Sequence, residues 1–120
     1  MEYFRVQKVK TGWTFSLHAA NGEVIATSES YASEAACRRG MDSVCVHAQA
    51  PVEDLSDGQN GVANPKFQLY RDKRGAYRFR LKARNGRIIA VSQAYRSKAA
   101  CLEGIESVRV HARREETDEN

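Results

Sequence analysis

The chain has 120 residues, a formal net charge of +4, 42% apolar and 28% charged side chains. That size suits one domain with its own core, and the composition excludes a disordered chain. No apolar run reaches the roughly 20 residues a membrane helix needs. The N-terminus, Met1-Glu2-Tyr3-Phe4-Arg5-Val6, shows no basic segment followed by an apolar stretch, so a cytoplasmic location is expected. Cys37, Cys45 and Cys101 form no C-x-x-C pair. They read as free thiols, with Cys37 and Cys101 buried.

The first strand is expected over residues 3–8. A turn at Lys10-Thr11-Gly12 leads into a second strand with Trp13, Phe15, Leu17 and Ala19 on the core face by period two. Asn21-Gly22 ends that strand, a strong hairpin signal, and Val24-Ile25-Ala26-Thr27 returns as the third. Ser33 is a natural N-cap, Ala35 and Ala36 favour helix, and Gly40 is placed to stop it after about two turns. A fourth strand is then expected over residues 43–48.

The same elements recur 64 residues later. Phe15, Leu17, Ala19, Asn21, Gly22 and Ile25 match Phe79, Leu81, Ala83, Asn85, Gly86 and Ile89. Tyr31, Ser33, Ala35, Ala36, Cys37 and Gly40 match Tyr95, Ser97, Ala99, Ala100, Cys101 and Gly104. Before Phe15 the offset is 63, so one residue has been gained in the second copy's first turn, where length changes cost least. Such self-similarity marks one supersecondary unit used twice.

Each unit reads β-β-β-α-β. A copy of about 50 residues is marginal alone, so the two are expected to pack as a single α+β domain. Its parts are repeat 1 (1–50), a Gly-, Pro- and Asp-rich linker (51–65), repeat 2 (66–112) and a flexible acidic tail (113–120).

Phe79-Arg80-Leu81-Lys82-Ala83-Arg84-Asn85-Gly86, Ser92 with Tyr95, Ser97-Lys98-Ala99-Ala100 and Gly104-Ile105-Glu106-Ser107-Val108 resemble the YegP-like family of small bacterial proteins of uncharacterised function. The first copy carries the same frame. The resemblance covers nearly the whole chain in tandem-repeat form. It implies one mainly antiparallel sheet with two short helices on one face and the last strands, 43–48 and 107–112, exchanged between repeats. It supplies no reaction and no catalytic residues.

Charge is unevenly placed. Residues 1–50 hold five basic and five acidic side chains, whereas residues 66–112 hold twelve and three. Arg78, Arg80, Lys82 and Arg84 alternate with core residues along the second copy's second strand; their first-copy equivalents are Thr14, Ser16, His18 and Ala20. A basic strand face attracts polyanions, with Arg87 and Lys73 extending it from turns and Tyr70 offering a stacking ring. The same residues also serve as a solvated sheet face.

The repeated Ser28 and Tyr31, Ser92 and Tyr95 fall in the strand–helix connections. They shape a small-molecule site, or hold loop backbone and pack at the sheet edge. His47, His111 and Cys45 are too thin a set for zinc, and no metal or cofactor is expected. No G-x-S-x-G, H-E-x-x-H or Gly-rich phosphate loop is present. The sequence therefore reads as a non-catalytic binding module with a basic sheet face for nucleic acid or an acidic partner, without membrane contact. It is expected to be a monomer with an internal pseudo-twofold, homo-oligomer being the alternative. The competing functions are a self-associating accessory protein and an enzyme acting through the Ser-Tyr loops.

Overall fold

The computed structural model describes residues 3–113. Three strands, β1 (Phe4–Val9), β2 (Gly12–His18) and β3 (Val24–Thr27), precede helix α1 (Glu34–His47). Strand β4 (Val52–Asp54) and a single 3-10 turn (Leu55–Asp57) follow. Strands β5 (Lys66–Arg71), β6 (Tyr77–Lys82) and β7 (Ile88–Ser92) lead into helix α2 (Lys98–His111). The strands form one sheet in the order β1-β2-β3-β7-β6-β5-β4. All pairings are antiparallel except β4 with β5, so the sheet is mixed and the fold α+β.

The seam between the repeats is the β3–β7 pair, in which Thr27 opposes Val91 and Ala26 opposes Ser92. Thr27 and Val91 are themselves equivalents under the 64-residue offset, so a pseudo-twofold axis passes between them. Both helices pack on the sheet face that carries Phe15, Leu17, Phe79 and Leu81, all at most 1% exposed. Burying each such side chain contributes about 1.5–3 kcal/mol. No helix among the described residues is long and apolar enough to cross a membrane.

The segments expected as fourth strands, 43–48 and 107–112, are helical instead: α1 continues to His47 and α2 to His111. Val44, Cys45 and Val46 alternate in chemistry, but the buried set Cys37, Met41, Val44, Ala48 has helical spacing. Cys101, Ile105, Val108 and Ala112 repeat it. Ser33 and Ser97 cap as expected, accepting from the N–H groups of Ala36 and Ala100 at 3.1 Å. Gly40 and Gly104 do not end the helices. A Cβ on either would overlap a tyrosine hydroxyl, and would sit 2.7 Å from Cζ of Tyr31 or 2.8 Å from Cζ of Tyr95. Glycine leaves room for the phenol end of the tyrosine against the helix and does not provide a left-handed stop.

Of the exchange expected between repeats, the described residues show one half, made by a different segment. β4, which follows α1 in the stretch expected to be linker, runs parallel to β5 of the second repeat. The tail expected to be flexible lies, beyond Arg113, outside the described residues.

Candidate functional site

The face opposite the helices can be read as a row across all seven strands: Arg5, Ser16, Thr27, Val91, Arg80, Gln68, Glu53. Its second-repeat half is basic, as the alternation of β6 requires, but two of its guanidinium groups are already held within the molecule. Arg78 Nε donates to Asp72 Oδ2 at 2.8 Å, and that contact, with the Ala76 and Arg74 N–H groups, holds the Asp72 carboxyl below its ordinary value. Arg80 Nε donates to Gln68 Oε1 at 2.8 Å and its guanidinium lies 4.5 Å over the Tyr70 ring. The Tyr70 face expected to be open for stacking is therefore covered by Arg80.

Gln68 in turn donates to Glu53 Oε1 at 2.8 Å. Glu53 is 1% exposed, and it also receives Lys66 Nζ at 2.8 Å and the Val62 N–H at 2.9 Å. Hydrogen bonds from Lys66, Gln68 and Val62 hold its carboxyl down at about 2. A carboxylate so donated to is built to stay ionised. Nothing in the sequence marked Glu53, because its three donors come from β5 and from the loop after β4.

Lys73, Lys82, Arg84 and Arg87 complete the predicted set. Arg87 pairs with Glu29 at 3.0 Å, both side chains more than half exposed, a contact worth little in water. Lys82 lies opposite Lys66 on β5, Arg84 is exposed in the β6–β7 turn, and Lys73 is exposed in the β5–β6 turn. The predicted residues thus split into two ends of β6. Arg78, Lys73 and Tyr70 lie toward the β5–β6 turn; Lys82, Arg84 and Arg87 lie about the β6–β7 turn.

Beside the β6–β7 turn is a groove of about 250 Å³ that both repeats build. α1 contributes Arg39, Gly40 and Ser43, the strand–helix connection Tyr31, and the second repeat Asn85 and Arg87. Its pseudo-twofold mate, of about 230 Å³, is lined by Glu103, Gly104, Ser107, Tyr95, Asn21 and Glu23. Every residue named in one groove has its equivalent in the other under the 64-residue offset. Arg39 and Arg87 stand where the second groove has Glu103 and Glu23; Glu29 also lines the first groove, so the first is net basic and the second, with no cation in its lining, is acidic. Comparing charges between the repeats, position by position, would have exposed the inversion in the sequence.

The Ser-Tyr candidates have structural partners. Ser92 Oγ accepts from the Phe79 N–H at 2.9 Å and donates to Gln93 O at 2.7 Å; Ser28 does the same with Phe15 and Glu29. Tyr31 and Tyr95 stack on Phe15 and Phe79 with centroids 6.3 Å apart, and burial raises both phenol pKa values. His47 and His111 bond the Ser43 and Ser107 carbonyls through Nδ1, and His111 Nε2 accepts from Ala20 N–H at 3.2 Å across the repeats. The described residues contain no cluster of three or more metal-ligating side chains. Cys37 and Cys101 are fully buried, as expected, and burial pushes the Cys101 thiol up to about 11.

The chain matches the domain of unknown function DUF1508 twice, over residues 10–54 and 72–119. A UPF0339 protein of Pseudomonas aeruginosa is 36% identical over 107 residues, 88% of this chain and 86% of that protein. A UPF0339 protein of Treponema denticola is 64% identical over 47 residues, 39% of this chain and 81% of that protein, which makes it about one repeat long. The solution structure of Escherichia coli YegP, described as a protein of unknown function, superimposes with a TM-score of 0.75 at 28% identity, covering 94% of this chain and 87% of that one. The Shewanella oneidensis UPF0339 structure gives 0.74 at 31%, covering 92% and 83%. Two matched segments, a sheet shared with YegP and relatives alike over most of their length lead to one conclusion: the chain belongs to the DUF1508 (UPF0339) family, the family of the YegP proteins.

Proposed function

We propose that this protein is a non-catalytic binding module that takes the phosphate backbone of a nucleic acid on the basic corner around the β6–β7 turn. The residues are Lys82 and Arg84, with Arg87 and Arg39 at the adjoining groove. The observation that carries the reading is the charge inversion between the twin grooves. The scaffold folds equally around Arg39 and Arg87 or around Glu103 and Glu23, so folding does not require the cations. Arg78 and Arg80 contribute less than their alternation suggests, because Asp72 and Gln68 already hold them. Their role is to fix the strand face beside the corner.

The test is fluorescence anisotropy with labelled single- and double-stranded RNA and DNA, titrated at several salt concentrations. Four phosphate contacts give a slope of about −3.6 in log K against log salt on duplex DNA and about −2.8 on single strands. The variant Lys82→Ser/Arg84→Ser/Arg87→Ser should lose binding and flatten the slope, while Lys73→Ser, at the far turn, should bind as the parent does. Absence of saturable binding at low salt would overturn the nucleic-acid reading. A polyglutamate probe run in parallel reports an acidic protein partner instead.

A further inference from the structure

The first groove has two kinds of wall. Its floor is small and apolar: Ala36 and Gly40 on α1, and Ala83 and Ile89 beside the β6–β7 turn, the last two 6% and 7% exposed. Its rim is polar and comes from both repeats. Arg39 is exposed on α1, with no hydrogen bond or ion pair among the described residues. Arg87 Nη2 donates to Glu29 Oε2 at 3.0 Å, so a cation and a carboxylate meet side by side on that rim. Both are anchored through the backbone. The Arg87 N–H donates to Asn85 Oδ1 at 3.0 Å, its carbonyl accepts from the Ala83 N–H at 2.9 Å, and the Glu29 carbonyl accepts from Ser28 Oγ at 2.7 Å.

A phosphate alone would use the arginines but not the apolar floor, and Glu29 would repel it. A flat heterocycle with polar edges uses all three: its face covers the floor while its edge meets the donors and the carboxylate. The volume of about 250 Å³ lies below that of pockets for drug-sized ligands, roughly 300–1,000 Å³, which suits one base and not a run of them.

We propose, building on the nucleic-acid reading of the corner, that this groove takes an unpaired guanine base of the bound strand. Guanine presents two acceptors, N7 and O6, followed along its edge by two donors, N1–H and N2–H2. The acceptors suit the guanidinium groups of Arg39 and Arg87, and the donors suit the Glu29 carboxylate. Adenine alternates acceptor and donor, uracil has one donor between two acceptors, and cytosine offers the carboxylate a single amino group. Lys82 and Arg84 hold flanking phosphates. Five N–H donors on each guanidinium let Arg39 and Arg87 serve base and backbone together. Reaching N1–H and N2–H2 requires a base outside a duplex, so the preference belongs to single strands. The twin groove lacks the set: Glu103 and Glu23 replace the two arginines, and Gln93 stands at the position equivalent to Glu29.

The test is competition fluorescence anisotropy on the full chain. The competitors are single-stranded octamers, uridine in RNA and thymidine in DNA, with G, A, C or no change at one central position. The G octamer should bind about tenfold more tightly than the others. The gain should appear in both sugar series, since no edge contact involves the sugar. Inosine in place of G, which lacks N2–H2, should lose part of it. Glu29→Gln should remove the G preference and tighten the unchanged octamer, because a carboxylate beside the cations is gone; loss of folding would weaken both. By nuclear magnetic resonance the G octamer should shift the Gly40 and Asn85 amides and leave their equivalents, Gly104 and Asn21, in place. Equal binding of all octamers with the salt slope intact would overturn the guanine site and leave the phosphate corner standing, whereas no binding of any octamer at low salt would overturn both. Preference for another base, shifts centred on the twin groove, or free guanosine 5′-monophosphate competing as well as the G octamer would each overturn the guanine site as well.

Discussion

Ser92 separates a structural reading of the Ser-Tyr connections from a chemical one, and its twin supplies the control. Ser92 is 4% exposed, and its hydroxyl is the partner of the Phe79 N–H. Ser92→Ala leaves that donor buried without an acceptor, which costs about 1–3 kcal/mol. For a domain of this size about 4 °C of melting temperature accompanies each kcal/mol, so the midpoint should fall by about 4–12 °C. Ser28 makes the same two bonds to Phe15 and Glu29 but is only half-buried, so water can replace its oxygen. Ser28→Ala should therefore lose less, about 0.5–1.5 kcal/mol. Calorimetry, with urea titration as a second probe, measures both. An unchanged midpoint in Ser92→Ala, or equal losses for the two serines, would refute the argument that burial of an orphaned N–H sets the magnitude.

Gly104→Ala, a change that stabilises an open helix by about 1 kcal/mol, should instead destabilise by about 1–3 kcal/mol. The new Cβ meets Tyr95 and Phe79, and Tyr95→Phe in the same chain should recover part of the loss in urea midpoint. Acid should expose the Glu53 network. Its carboxyl is held at about 2 against an ordinary 4.5, so its stabilisation is complete above about pH 4.5 and disappears as pH falls toward 2. Urea midpoints measured over that window should drop in the parent and stay flatter in Glu53→Gln. Cys37 and Cys101, buried and with raised thiol pKa values, should resist an aromatic disulfide reagent at pH 8 and be labelled only in denaturant, read by mass spectrometry.

Where identical residues recur at a fixed offset, the sequence was a reliable guide: the three-stranded meander of each repeat follows from period-two alternation ended by Asn-Gly, and β3 falls on the expected residues. Gly40 and Gly104 misled because glycine has two uses in helices. Their purpose depends on Tyr31 and Tyr95, nine residues earlier, coming back over the helix, which no local pattern reveals. β4 was hidden by its surroundings. Val52-Glu53-Asp54 has poor strand chemistry and sits among turn formers; it pairs because Lys66 and Gln68 on β5, and Lys98 on α2, complement its two carboxylates. The basic alternation on β6 was legible, but the partners that hold two of its guanidinium groups, the Asp72 carboxylate and the Gln68 amide oxygen, were not, since they belong to other segments.

The β3–β7 seam has a consequence for divergence. In a sheet assembled from two identical, unlinked repeats, each substitution is made twice, so the symmetric grooves must share one chemistry. Joining the halves through β4 removes that constraint. Each groove then mutates singly, and the second is free to keep the framework while the first changes its preference. Arg39 against Glu103 and Arg87 against Glu23 show that freedom in use. One backbone geometry presents two independently selectable surfaces, which a symmetric pair of single repeats could not do at any concentration.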